Sequence, residues 1–385
     1  MNTLATLSPR RFRPGFWTGV FVILFLAFCT VTVIRYTKGL GAVTNLSDQF
    51  PWGLWIGFDL LCGVGLAAGA FTLTAVVHLF NLKRFEPIVR PTILTGFLGY
   101  AFVIVALLLD LGQPWRIWHA IVYWNTHSVM FEVAWCVMLY TTVLAVEFSP
   151  VVFEWFGFHA PARLIHRLIT PLVILGVLLS TLHQSSLGSL YLIVPSKLHP
   201  LWYSPMLPLH FYISAIGAGI GMVILESYLS GRAFHRHLEM DLLEPLARGM
   251  VVALGIFGLM RLQGIARNHA FGSLGSYEGQ MFLVEFMLGV ILPVVLMSFR
   301  RLRANPDWLV GSAFLAVLGF VMNRLNVSIT GMEAASGTRY IPSVMEIIVS
   351  LGLVATGMAI FAFAVRTFSI FPEGPVASRR KEPAA

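Results

Sequence analysis

Charge is scarce in this chain: of 385 residues only 11% are Asp, Glu, Lys or Arg, less than half the share of about 25% usual in soluble domains. With 57% hydrophobic residues and a mean hydropathy of +0.79, a water-soluble fold is excluded. Cysteine is nearly absent as well. Cys29, Cys62 and Cys136 stand in three different apolar stretches, so the chain alone has no paired spacing for iron–sulfur or zinc ligation and no metal ligands are expected. A phosphate-binding glycine loop, a dinucleotide fingerprint and low-complexity tracts are missing too, apart from the polar stretch Ser378 to Ala385. These absences argue against a nucleotide-driven pump.

What the sequence does have is long apolar runs. At about 20 apolar residues per bilayer crossing, ten spans can be read: Phe16 to Ile34, Trp55 to Phe80, Pro91 to Leu109, Ser128 to Phe148, Leu168 to Leu187, Met206 to Leu229, Pro245 to Gly264, Met281 to Phe299, Trp308 to Leu325 and Val344 to Val365. The pair Arg10 and Arg11 precedes the first run as in a twin-arginine signal, but that run is span-length and no small-residue cleavage site follows it. A retained first helix is expected.

The net charge of +8 does not point to nucleic acid, because the basic residues sit in short loops rather than on a soluble face. They report orientation instead. Arg35, Lys38, Arg116, Lys197, Arg267 and Arg339 lie beside the odd-to-even loops, whereas a far larger group that includes Arg84, Arg163, Arg232, Arg301, Arg366 and Lys381 lies on the side of the N-terminus. By the positive-inside rule both termini are cytoplasmic. Trp52, Trp55, Trp115, Trp118, Tyr123, Trp124, Trp202 and Tyr203 gather at the opposite ends of spans two to six, as an interfacial aromatic belt on the outer side.

Orientation gives each intramembrane ionisable residue a depth. Asp59 and Glu132 fall about one turn below the outer face, and Asp110 and His183 at, or one turn short of, the outer ends of their spans. Spans two to five thus each place one titratable group in one layer. His210, Arg261, Glu285 and Arg324 from spans six to nine repeat the pattern, joined by Glu346 from span ten. A charge at a helix centre costs about 2.5–3.5 kcal/mol, so groups this numerous must pair with one another or line a wet cavity.

A salt-bridge layer accounts for Arg261, Glu285, Arg324 and Glu346. The first group has three acids and no intramembrane arginine, so a proton-handling site is expected there, since His titrates near neutrality. His183 lies in HQSSLGS, where Gln184, Ser185, Ser186 and Ser189 add donors and acceptors. The interruption of an apolar span by these residues marks a polar pocket. Deeper in, His78, Glu147, Glu226 and Arg248 lie near the cytoplasmic ends. Snorkelling accounts for them; the alternative is a proton route, with Glu132 and Glu147 fifteen residues apart on one span, roughly 22 Å by helical rise. Gly57, Gly63, Gly65 and Gly69 in span two and Gly217, Gly219 and Gly221 in span six permit close helix approach. Each opens one four-span group, as an internal duplication would.

The segments PWGLWIGFDLLCGVGLAAGA, NTHSVMFEVAWCVMLY, AVEFSP, LHQSSLGSL, KLHPLW and MLPLH together resemble the NrfD and PsrC family of polysulfide reductase membrane subunits. The likeness is to its HybB-like branch, the integral membrane subunits of hydrogenase-2 type nickel–iron hydrogenases, and it covers all ten spans. The resemblance implies an all-α polytopic membrane protein of the bacterial inner membrane, forming a single membrane domain over 1–385. Its parts are a first flanking helix (16–34), two four-helix bundles (55–187 and 206–325), a last helix (344–365) and a cytoplasmic tail (366–385). It also implies a quinone site near the outer face of the first bundle, and docking to an iron–sulfur subunit and to the hydrogenase large and small subunits. Glu132 matches an acidic position associated in such subunits with proton handling; Asp59 and His183 match motif positions.

The expectation is a chain that binds menaquinone or ubiquinone near Asp59, Asp110, Glu132, His183, Gln184 and Ser185, with Asp59, Glu132 and His183 handling protons. Electrons would come from the iron–sulfur partner, and protons through Glu147 or Glu226 if turnover conserves energy. Haem b needs two facing imidazoles at one depth; His183 and His210 are the pair to test, and haem is not favoured. A polysulfide reductase-like subunit is the nearest alternative. A secondary transporter is disfavoured because its site would lie at the midplane, and a purely structural anchor would be indifferent to Glu132 and His183.

Overall fold

The computed structural model describes residues 15–234, 238–368 and 370–371, and within them every regular element is helical. The Arg10–Arg11 pair, Arg236 and the polar stretch from Ser378 lie outside the described residues. Among the described residues ten helices are long and apolar enough to cross a membrane: α1 (Phe16–Lys38), α2 (Trp55–Leu79), α3 (Glu86–Asp110), α4 (Val129–Trp155), α5 (Ile169–Leu190), α6 (Leu207–Ala233), α7 (Met240–Arg267), α8 (Tyr277–Ser298), α9 (Pro306–Ser336) and α10 (Val344–Thr367). In lipid a helix satisfies its own backbone hydrogen bonds, which is why apolar composition and helical structure coincide here.

Helix starts follow side-chain chemistry. Ser128, Ser276, Asn305 and Ser343 cap α4, α8, α9 and α10 by accepting backbone N–H groups of the first turn. At Ser343 the cap is reciprocal, because the Glu346 carboxylate accepts the Ser343 N–H at 2.8 Å. Glu346 is therefore a capping residue as well as a buried acid.

Helix ends depart from the sequence reading where polar residues are absorbed by the fold. Span nine was expected to stop at Leu325, yet α9 continues through a wide π-type turn (Asn326–Thr330) to Ser336. Asn326, Ser328 and Thr330 are buried there, and Asn326 donates to Glu285 at 2.8 Å. The polarity that ended the apolar run is spent inside the protein. Likewise α5 runs to Leu190, so His183 lies about 10 Å below its end, two turns rather than one.

Helices α2 and α4 each pack on α3 and α5, while α6 and α8 each pack on α7 and α9. The two sets meet chiefly along α2 and α6. Gly69 makes this contact possible: a Cβ there would sit 1.8 Å from the Ala215 carbonyl oxygen of α6. Gly319 does the same for α9 against α8, where a Cβ would fall 1.9 Å from the Cα of Gly289. Helix α1 lies along α10, and α10 rests on α3.

The odd-to-even loops share one face, here called the aromatic face, and the even-to-odd loops share the basic face. Trp115, Trp118, Tyr123 and Trp124 are exposed on the aromatic face, as an interfacial belt requires. Trp55 and Trp202 are not part of that belt. Both are buried, with their indole N–H groups donated to the Glu346 carbonyl and to Glu285.

Candidate functional site

His183 sits in the interior of helices α2 to α5, fully buried. Its Nδ1 is 2.9 Å from the hydroxyl of Tyr100, which projects from the middle of α3. The Tyr100 ring meets the Tyr140 ring of α4 edge-on at 4.5 Å, and Tyr140 in turn meets Phe71 of α2 at 5.4 Å. All four helices thus contribute an aromatic or imidazole side chain to one layer. Hydrogen bonding at Nδ1 and packing against Tyr100 fix the imidazole plane, while Nε2 has no hydrogen-bond partner.

Next to it, Gln184 is fully buried, and neither its amide nitrogen nor its oxygen has a partner. The Tyr140 hydroxyl and both carboxylate oxygens of Glu147, two turns further along α4, are also buried without partners. Buried polar atoms in proteins are paired in about nine cases of ten. These unpartnered atoms leave hydrogen-bonding capacity open inside helices α2 to α5. Ser185, Ser186 and Ser189 differ, because each donates its hydroxyl to the carbonyl one turn back, at 2.7–3.0 Å. They keep only acceptor capacity.

The other expected site residues are placed elsewhere. Asp59 lies on the π-type turn that opens α2 (Trp55–Leu60) and accepts the Ser350 hydroxyl of α10 at 2.6 Å. Asp110 ends α3 within electrostatic reach of Asp59, Arg35 and Glu346. Arg35 of α1 donates to the carbonyls of Leu109 and Leu111, capping α3 beside Asp110. Asp59 and Asp110 are therefore drawn together on the side of α1 and α10, and neither is a hydrogen-bond partner of His183. Glu132 occupies the first turn of α4, half-buried and without a side-chain partner among the described residues.

In the loop before α10, Tyr340 donates its hydroxyl to Glu346 and accepts the Leu54 N–H at 2.9 Å. Burial raises the pKa of this phenol, and the neighbouring carboxylate raises it further.

The α6 to α9 half holds a different kind of polarity. Glu285 accepts Asn323 at 2.6 Å, Asn326 at 2.8 Å and Trp202 at 2.9 Å, and forms an ion pair with Arg261 at 3.5 Å. Arg324 donates to Asn323, to the Phe211 carbonyl and to Ser214 at 2.7–2.9 Å. Its guanidinium lies between the Phe211 and Phe320 rings, 3.8 and 4.3 Å from their centroids. This network centres on one carboxylate and leaves Arg261 Nε and Nη2 and Arg324 Nε without hydrogen-bond partners, and Glu346 does not belong to it.

Near the basic face, Arg248 is exposed and paired with Glu244, as snorkelling requires. Glu147 is buried and does not snorkel. Glu226 accepts the Thr95 hydroxyl at 2.7 Å. Tyr100, Tyr140, Trp202 and Asn323 were missed from sequence because only ionisable groups were given depths; a hydroxyl, indole or amide inside an apolar span is the same signal in weaker form.

An all-helical protein with ten candidate membrane spans, enclosing an oriented histidine among unpartnered polar atoms, is an integral membrane subunit rather than a self-sufficient soluble enzyme. The family model described as polysulphide reductase, NrfD, matches residues 42–334, and the chain belongs to that family. It is 34% identical to the probable Ni/Fe-hydrogenase 2 b-type cytochrome subunit of Escherichia coli, over 90% of each chain. It is 28% identical to the menaquinone reductase integral membrane subunit of Nitratidesulfovibrio vulgaris, over 94% of this chain and 93% of the relative. The protein is thus a membrane subunit of NrfD-family oxidoreductases.

The cytochrome in the first relative's name can be tested on the histidines. His183 addresses Tyr100 on α3, whereas His210 packs edge-on to Phe257 on α7, at 6.2 Å. The imidazoles turn to different neighbours, one among helices α2 to α5 and the other towards α7. These residues do not fit a bis-histidine haem.

Proposed function

We propose that this chain is the quinone-reactive membrane subunit of a respiratory nickel–iron hydrogenase. It lies in a bacterial inner membrane with its aromatic face outward and its termini cytoplasmic, and takes electrons from an iron–sulfur subunit docked on the aromatic face. The observation that carries this reading is His183, held at Nδ1 by Tyr100 with Nε2 unpartnered beside the unpartnered Gln184 amide. The imidazole offers a quinone carbonyl an oriented hydrogen bond at Nε2, and the Gln184 amide is a further polar group on the adjoining face of α5. Two electrons and two protons convert quinone to quinol; Glu132 and Asp59 handle protons at the aromatic face, with Asp110 and Ser185 in the same layer. Tyr140, Glu147 and Glu226 supply polar stations towards the basic face, spaced so that water must join them. The neighbour relations of the helices support a division into two four-helix bundles with flanking helices.

The test is hydrogen-dependent reduction of a quinone analogue by membranes carrying wild type, Glu132→Gln or His183→Ala, with subunit assembly followed in parallel. Loss of quinone reduction in assembled complexes is expected. Full activity in both variants overturns the site. A second reading, a membrane subunit serving another NrfD-type oxidoreductase such as a polysulfide or menaquinone reductase, is favoured by the likeness to the menaquinone reductase subunit. Co-purification with hydrogenase subunits, or with a molybdenum enzyme, separates the two.

A further inference from the structure

The α6 to α9 half holds positive charge that the quinone reading does not use. Arg261 is 3% exposed and Arg324 fully buried, and the carboxylate that serves them, Glu285, already accepts hydrogen bonds from three other side chains. Arg324 is well solvated by the protein, through three hydrogen bonds and two aromatic faces. Arg261 is not. Its Nη2 stands 3.5 Å from Glu285 without a hydrogen bond, and neither Nε nor Nη2 has a hydrogen-bond partner. Those two nitrogens form one edge of the planar fork that grips an acceptor bidentately. His210 is buried within electrostatic reach of both arginines, and its Nδ1 is also unpartnered, as is Arg324 Nε.

Charge gives the same answer as hydrogen bonding. The other acids near Arg324 are Cys62 and Tyr191, which are uncharged at neutral pH by their ordinary acidity. Two guanidiniums and one carboxylate leave an excess of at least one positive charge in a buried place, and an uncompensated buried charge is strongly destabilising. Aromatic rings flank both groups: Phe282 lies 5.0 Å from the Arg261 guanidinium, and Phe257 lies 6.2 Å from the His210 ring.

We propose that Arg261, His210 and Arg324 bind one monovalent inorganic anion of the halide class. The bound anion neutralises the excess charge, takes the unpartnered N–H groups and holds α6, α7 and α9 together. This site is separate from His183 and does not depend on which oxidoreductase the chain serves.

The test uses the purified complex with all its subunits. Its thermal unfolding midpoint is measured in sodium chloride, sodium bromide and sodium gluconate at constant ionic strength, gluconate being a bulky organic anion. A saturable rise of a few degrees in chloride and bromide but not gluconate is expected, and it is lost in Arg261→Gln. Equal midpoints in the three salts, or an undiminished rise in Arg261→Gln, overturn the proposal. Should that variant fail to assemble, the wild type decides. A bromide anomalous-scattering peak against Arg261 Nε supports the site, and its absence in bromide-grown crystals overturns it.

Discussion

The hydroxyl of Tyr100 on α3 lies 2.9 Å from Nδ1 of His183 on α5. This contact fixes which imidazole nitrogen is left for chemistry. It also ties two helices in a layer that Tyr140 and Phe71 complete.

Tyr100→Phe removes that bond and keeps the ring. A buried hydrogen bond of this kind is worth about 1–3 kcal/mol, so quinone reduction is expected to fall roughly tenfold to a hundredfold at unchanged assembly. Turnover within twofold of wild type would show that Tyr100 does not orient the histidine.

Glu147 separates stability from function. Its buried carboxylate has no hydrogen-bond partner, and an unpaired polar group inside a protein is a cost. Glu147→Leu is expected to unfold at or above the wild-type temperature while turning over quinone more slowly for want of a proton station. Unchanged turnover would leave Glu147 without a role in proton delivery.

Glu285 is the reverse case. It anchors Trp202, Asn323, Asn326 and Arg261 at once, and breaking a buried pair costs about 3–5 kcal/mol. Glu285→Ala is expected to lower the unfolding midpoint far more than Trp202→Phe, which removes one hydrogen bond worth about 1–3 kcal/mol. The opposite ranking in thermal unfolding would displace Glu285 from the centre of the network.

Tyr340 gives a prediction in pH. Its folded-state pKa is raised by burial and by Glu346, so its stabilisation is fully present below the unfolded value of about 10 and is lost as pH rises towards the folded value. The stability difference between wild type and Tyr340→Phe should therefore be flat through neutral pH and shrink only above about pH 10. A difference that changes between neutral and mildly alkaline pH would contradict this assignment.

The sequence by itself determined the helical class, the ten spans and the position of each polar group along its helix. Lipid forces an apolar run to satisfy its own backbone, and the rise per residue converts position into depth. It did not determine rotation about each helix axis or which neighbour each face meets. The π-type turn at Trp55–Leu60 carries Asp59 towards Ser350 rather than His183, and that at Asn326–Thr330 extends α9 and brings Asn326 to Glu285. Packing alone made Tyr100 the partner of His183, because depth is a property of one helix and partnership a property of two.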